Sequence, residues 1–250
     1  MRKIFLIIVM SILVQHMFSQ DETNYVALGL YINPNIMYRN TWLKPGQKED
    51  DSYKKFLKKY YPILGYNWGA SLNWKRYKFG SFEAGIFLNQ RGYGFHNKIE
   101  VPDSIANNQN NPGSPIPEEF DIKDIYYFID IPLSLKRDIL QRNKISLYGK
   151  GGISLNMLLK DTRLIQEYYI DDTEGHDRND IKFKELQVFN FRRFNISTIF
   201  SIGINISITQ NIEIQAESIV DCLILPFFMG GDYSIRLFET GIKTGISYKF

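Results

Sequence analysis

The chain of 250 residues contains one cysteine, Cys222. No disulfide can therefore staple it internally, and no cysteine near the N-terminus is available to carry a lipid after signal cleavage. An excess of one charge is also absent. Lys+Arg 30 against Asp+Glu 27 leaves a net charge of +3, with no basic surplus of the kind a nucleic-acid partner demands. No long apolar run follows residue 14, and the mean hydropathy is -0.25. Membrane-spanning helices need about 20 consecutive apolar residues each, so a helical membrane protein is excluded. A membrane β-barrel is not excluded, because its strands offer lipid only alternate side chains.

Aromatic residues make up 15% of the chain and glycines number 18, which suits strands, tight turns and interfacial girdles. The first residues, Met1-Arg2-Lys3, are basic, residues 4–14 are apolar, and a short polar stretch runs to Gln20. That is the three-part plan of a secretory signal peptide, with an apolar run too short to cross a bilayer. A signal peptide over residues 1–20 and a mature domain over 21–250 are expected. Losing Arg2 and Lys3 takes the net charge from +3 to +1.

The mature sequence divides into eight segments of alternating character: 26–33, 64–75, 82–91, 125–136, 145–160, 197–208, 212–222 and 237–250. In the sixth, Ile202, Ile204 and Ile206 alternate with Ser201, Gly203 and Asn205, as the opposed side-chain directions of a strand require. About ten residues per segment is what a tilted membrane strand needs. The connections 76–81, 137–143 and 209–211 are short, whereas 34–63, 92–123, 161–194 and 223–236 are long. This matches short periplasmic turns alternating with long extracellular loops, both chain ends being periplasmic. The fold class expected is all-β: an eight-stranded antiparallel up-and-down transmembrane β-barrel. A soluble lipocalin-like barrel would show the same alternation with its faces exchanged, apolar inside and polar outside.

The last segment bears on which face is which. Phe250, Tyr248, Ile246, Ile242 and Phe238 share one face, against Lys249, Ser247, Lys243 and Glu239 on the other. A terminal Tyr-x-Phe on an amphipathic strand resembles the C-terminal signal of bacterial outer-membrane β-barrels, which sets the apolar face towards lipid. Tyr127-Phe128-Ile129-Asp130-Ile131-Pro132-Leu133-Ser134-Leu135-Lys136 resembles a strand of the PorT-like outer-membrane β-barrel family. Tyr148-Gly149-Lys150-Gly151-Gly152 is similar to the glycine-containing strand that follows it there, and 85–92 to the strand before it. Asp130 stands where the family has Glu. The resemblance implies a small barrel in the bacterial outer membrane and, for some members, a part in protein secretion.

The polar face carries Glu83, Asp130, Glu213, Glu217, Asp221 and Glu239 against Lys75, Arg91, Lys136, Lys150 and Lys243. An eight-stranded lumen is just filled by side chains, and an unpaired ion stripped of water is very costly, so a closed ion-pair network is expected. With the fourth and fifth segments turning about Leu140, Asp130 falls opposite Lys150. With the last loop centred on Gly230, Glu217 falls opposite Lys243.

Chemistry is harder to find. Beyond the leader, only His96 and His176 remain, both in stretches read as outer loops, with Ser52, Ser104 and Ser114 in loops and no motif around them. A non-enzymatic barrel without cofactor or metal is the expectation. A lipid A-modifying barrel enzyme using His and Ser is the alternative that stays open. The acidic run 171–180 does not fit EF-hand spacing, and reads as a hydrated loop whose cation binding the sequence leaves open. After Asp50-Asp51-Ser52, the spacing of Tyr53, Phe56, Leu57 and Tyr60 predicts a short amphipathic helix. Its Lys54, Lys55, Lys58 and Lys59 would face lipopolysaccharide phosphates, or the helix would simply cap the barrel mouth. The partners expected are outer-membrane lipid and lipopolysaccharide, with protein partners at extracellular loops or periplasmic turns and no nucleic acid.

Overall fold

All eight alternating segments form strands, and most run further than the alternation does. In the computed structural model the described residues are 25–43, 55, 57–76, 80–98, 119–168, 179–183, 191–229 and 233–250. The signal peptide read over 1–20 lies outside them. The strands are β1 (Tyr25–Leu43), β2 (Tyr60–Tyr61), β3 (Ile63–Arg76), β4 (Gly80–Lys98), β5 (Glu119–Arg142), β6 (Ile145–Tyr168), β7 (Asn179–Phe183), β8 (Phe194–Ser207), β9 (Ile212–Leu223), β10 (Phe228–Met229) and β11 (Tyr233–Lys249). The ring runs β1-β3-β4-β5-β6-β8-β9-β11, and an antiparallel β1–β11 ladder closes it, while β2, β7 and β10 are short additions to β4, β6 and β11. Closure leaves the eight long strands no free edge in the membrane, the condition lipid imposes on any β structure.

The faces decide between lipid and water. Leu30, Ile32, Trp68, Ile86, Ile202 and Ile242 are each more than half exposed, whereas Glu83 and Glu217 inside are only 1% and 2% exposed. A soluble barrel would bury the first set and solvate the second. Here the apolar face is the outer wall and the charged face the lumen, so the lipocalin-like alternative is excluded.

Strand length departs from the sequence reading. β5 and β6 have 24 residues each, about 80 Å of strand at ~3.3 Å per residue. Tilted by about 45°, such a strand rises well beyond the roughly 25 Å apolar band of a membrane barrel. Parts of the long connections, including 34–43, 92–98, 119–124 and 161–168, are strand rather than loop. The reason is that the pattern changes sense above the membrane. There Met37, Tyr93, Tyr126, Phe128, Ile235 and Leu237 are buried inside the ring, while Gln90, His96, Lys98 and Asn40 occupy the opposite parity. Pro34 is tolerated within β1 because the β1–β11 ladder skips residues 33 and 34, so no hydrogen bond is asked of its missing N–H.

The turn between β5 and β6 is also tighter than expected. β5 runs to Arg142, and Asn143 turns the chain with φ 51, a left-handed conformation that asparagine tolerates better than most residues. The turn centre therefore lies about three residues beyond Leu140. Ile204→Lys, on the lipid face, is expected to lower barrel stability by about 2–4 kcal/mol. Asn205→Ala, one residue on and facing the lumen, removes the acceptor for Lys136 and is expected to cost about 1.5–3 kcal/mol. Ile204→Leu should stay within about 1.5 kcal/mol of the parent. Urea unfolding in lipid vesicles checks the order, and a tolerated Ile204→Lys would contradict the assignment of faces.

Candidate functional site

The lumen is built in three storeys. Nearest the periplasmic turns, Lys150 Nζ lies 2.6 Å from Glu217 Oε1 and 3.3 Å from Glu83 Oε1, and Lys243 Nζ lies 3.1 Å from Glu83 Oε1 and 3.2 Å from Glu217 Oε1. Two lysines thus bridge two glutamates in a closed alternation of charge. Tyr148 and Ser201 donate to Glu217 Oε2 at 2.9 and 3.1 Å, and Gln215 contacts both Tyr148 and Glu217. Lys136 sits 3.7 Å from the centre of the Tyr148 ring and donates to Asn205 Oδ1 at 3.1 Å. Gly203 makes room for this packing, since a Cβ there would come within 2.6 Å of both Glu217 and Tyr148.

One storey further out, three carboxylates converge on a single guanidinium. Arg91 reaches Asp130 at 3.0 Å, Asp221 at 2.7 Å and Glu239 at 3.0 Å. Asn89 donates to Asp130 and Glu239 at 2.8 and 2.9 Å, and Asn156 donates to the other oxygen of Asp130 at 2.8 Å. Between the two storeys is a void of about 30 Å³, space on the order of one water molecule.

The structure brings Glu83, Arg91, Asp130, Lys150, Glu217, Asp221, Glu239 and Lys243 into the ring's interior with partners other than hairpin spacing gives for Asp130 and Lys150. Glu217 does face Lys243 across β9 and β11. Asp130, however, faces Asn156, and Lys150 faces Lys136, because the turn is centred beyond Leu140. Lys150 draws its carboxylates from β4 and β9 instead. Glu213 stands apart from both storeys and binds Lys249 at 2.6 Å, and Lys75 pairs with Asp138 at 2.7 Å.

Residues 18–237 match the model of a family described as outer membrane protein beta-barrel domain. The chain belongs to that family. Its place is the bacterial outer membrane. No curated protein matches the chain. Solved structures with a similar outline include Neisserial surface protein A (10% identity over 88% of this chain and 97% of that one, TM-score 0.38). Ail, the attachment invasion locus protein of Yersinia pestis, gives 11% identity, 92% and 100% coverage and a TM-score of 0.32. OprG from Pseudomonas aeruginosa gives 9%, 91% and 96%, and 0.36. The family match, and not these likenesses, carries the assignment.

This outer-membrane barrel is closed at its outer end by a storey the sequence reading did not name. Tyr93, Tyr126, Phe128, Leu223, Phe227, Phe228, Ile235 and Leu237 form a buried cluster, with Tyr60, Leu158 and Phe191 packed against it. Phe191 and Phe227 stack at 4.9 Å between ring centroids, and Tyr126 meets Phe227 edge-on at 4.7 Å. Tyr126 and Phe128 on the lumen face of β5 were the available signal. Above the plug, a cavity of about 210 Å³ is lined by Arg39, Tyr60, Tyr93, Phe95, Asp124 and Arg163, among others. Arg39 lies 3.8 Å from the centre of the Tyr60 ring, and Arg163 grips Asp124 with two hydrogen bonds of 2.6 and 2.9 Å.

The other sequence candidates are scattered. Lys54, His176, Ser52, Ser104, Ser114 and residues 171–178 lie outside the described residues. Lys55, Lys58 and Lys59 are described, with helical backbone at 55 and 57 and turns at 58 and 59. The helix does not continue to Tyr60, which pairs with Phe95 in β4 while Lys59 O accepts from His96 N at 2.9 Å. The strand ladder and the packing of Tyr60 on the plug outcompete the last helical turn. Lys59 Nζ donates to Asn97. His96 is on strand β4, not in a loop, and faces Asp121, whose carboxylate accepts from Tyr61 at 2.6 and 2.7 Å. Among the described residues no group of His, Cys, Asp or Glu is arranged to hold a metal ion.

Removing one member of a buried ion network leaves its partners charged and alone, at a cost of about 3–5 kcal/mol. Lys150→Met is expected to destabilise the barrel by that order, measured by urea unfolding in vesicles. Adding Glu217→Gln should recover part of the loss. Adding Asp130→Asn should not, because Asp130 belongs to Arg91, and recovery by that change would contradict the wiring.

Proposed function

We propose that this protein is a non-enzymatic outer-membrane barrel that acts through its extracellular β-extension, as a docking surface for a protein partner. The observation that carries the reading is the blocked lumen. The two ion-paired storeys enclose a void of about 30 Å³ and the aromatic cluster caps them, so the barrel offers solutes no path. An eight-stranded ring is in any case just wide enough for side chains to fill. The cavity of about 210 Å³ and the upper strands lie at the outer end, away from the lipid band. The PorT-like sequence features favour a partner that belongs to protein secretion.

The reading is tested in cells and in bilayers. Photo-reactive residues placed at His96 and Lys98, exposed on β4, are expected to cross-link a protein partner. The same residues at Gln141 and Asn211, exposed near the opposite end, serve as controls. Single-channel recording of the purified protein should show no stable openings. Adducts confined to the control positions would remove the extracellular surface from the reading. Large steady openings would remove the plug. A deletion strain with altered lipid A acylation would turn the reading towards the enzyme.

A further inference from the structure

The charges of the two ionic storeys do not cancel. Four cations, Arg91, Lys136, Lys150 and Lys243, meet five carboxylates, Glu83, Asp130, Glu217, Asp221 and Glu239, and all nine side chains are buried. One negative charge is left over in an interior capped by the aromatic cluster and walled by lipid. An ion stripped of water and left unpaired is very costly, so the surplus calls for a counter-charge.

Orphaned oxygens mark the place for one. The void of about 30 Å³ between the storeys is lined by Asn67, Glu83, Asp130, Asp221, Glu239 and Lys243, among others. Glu83 and Asp221 are 1% and 4% exposed, yet Glu83 Oε2 and Asp221 Oδ1 have no hydrogen-bond partner among the described residues. Asn67 Oδ1 has none either. Opposite Asn67 in the β1–β3 ladder stands Asn33, 2% exposed, with neither end of its carboxamide partnered among the described residues. Gly241 makes room for that side chain. It lies between Glu239 and Lys243 on the lumen face of β11, and a Cβ there would come within 2.5 Å of Asn33 Oδ1. The Asn33 oxygen is thus inside the ring, between the levels of two residues that line the void. Buried acceptors are seldom left without a donor or an ion. Here four oxygens, from β1, β3, β4 and β9, share that condition.

We propose that this void binds one alkali-metal cation, held by the side-chain oxygens of Asn33, Asn67, Glu83 and Asp221. Three chemistries could answer the orphaned oxygens, and the observations separate them. A water molecule fits the space, but it donates only two hydrogen bonds and leaves the charge standing. A proton cancels the charge, but it serves one oxygen pair and needs no void. A monovalent cation does both, and carbonyl and carboxylate oxygens are the ligands that hard cations take. A divalent ion would overshoot the charge by one. Lys150 and Lys243 do not bar the ion, because each ammonium is already held between Glu83 and Glu217. Acidic residues alone form no metal site among the described residues, so the two carboxamides are what complete this one. The site does not depend on the docking role proposed above.

The test refolds the mature barrel from urea into detergent micelles in NaCl, KCl or choline chloride at equal ionic strength. Heat-modifiable gel migration shows whether each sample is folded. Unfolding in urea is expected to be at least fivefold slower in one of the alkali salts than in choline chloride. Elemental analysis after gel filtration into choline chloride should find about one alkali atom per folded chain, a readout that a general salt effect on stability does not imitate. Asp221→Asn removes the surplus charge and should abolish both the salt dependence and the retained ion. If that variant fails to fold, Asn33→Leu, which keeps every charge and removes one ligand, should lower retention. Glu213→Gln, in the separate pair with Lys249, should leave retention as in the parent. Equal unfolding rates in the three salts, or no retained alkali metal, would each overturn the proposal in favour of water. Rates that follow pH and not the salt would overturn it in favour of a proton.

Discussion

Everything in this barrel depends on keeping buried charge paired inside a ring of fixed width. A closed strand ring sends every second side chain inward, and the lipid outside admits no ions, so the ions of the polar face must share a narrow dry space. The solution is two storeys that do not balance separately. Lys136, Lys150 and Lys243 against Glu83 and Glu217 leave a surplus of one positive charge. Arg91 against Asp130, Asp221 and Glu239 leaves a surplus of two negative charges. The small void between them is lined by members of both sets. The positive surplus of one storey offsets half of the negative surplus of the other across it, with little water to screen them.

The uncharged residues of the lumen follow from the same constraint. Asn89 and Asn156 spend their amide donors on Asp130, which Arg91 alone cannot satisfy. Tyr148 and Ser201 do the same for Glu217. Gly203 is small because Tyr148 and Glu217 fill the space beside it. Ladder register accounts for some of these meetings, such as Asp130 with Asn156, and not for others. Lys150 and Glu83 come from strands that are not neighbours, so their contact is made across the lumen and not along a ladder.

That distinction explains what could be read from sequence. Period-two alternation is local, and it named which residues face inward, including every member of the two ionic storeys. A hairpin with a clear centre also gives a cross-strand partner, as with Glu217 and Lys243. The Asp130–Lys150 pairing failed because the centre of a turn is set by backbone geometry at Asn143, and a shift of three residues changes the partner. Contacts across the lumen between distant strands leave no trace in spacing. Ile199 and Ile219, which break the polar alternation, face the lumen beside the void. The aromatic plug was missed for another reason: Tyr93, Leu223, Phe227, Phe228 and Ile235 lie beyond the alternating segments, in stretches read as loops, while Tyr126, Phe128 and Leu237 sit on the parity of the polar face.

The turn of the inward face from ionic to aromatic marks where the membrane ends. Within the lipid band the outer wall is apolar and the inside ionic. Above it, water bathes the outside, and a ring of strands rising into water needs an ordinary hydrophobic interior to hold its shape. Tyr93, Tyr126, Phe128, Phe227 and Leu237 supply that interior. The molecule is thus two barrels in one continuous set of strands, ion-filled in lipid and aromatic-filled in water. The boundary between them runs where Arg91, the outermost buried cation of the lumen network, lies 5.3 Å from the centre of the Phe128 ring. A cation near an aromatic ring is a contact that can join two such interiors, because a guanidinium hydrogen-bonds carboxylates through its N–H edge and is attracted to a ring quadrupole through its face. The upper barrel is therefore anchored by the lower one while obeying the rules of a soluble protein, which leaves its outer surface free to carry polar side chains that the membrane band cannot.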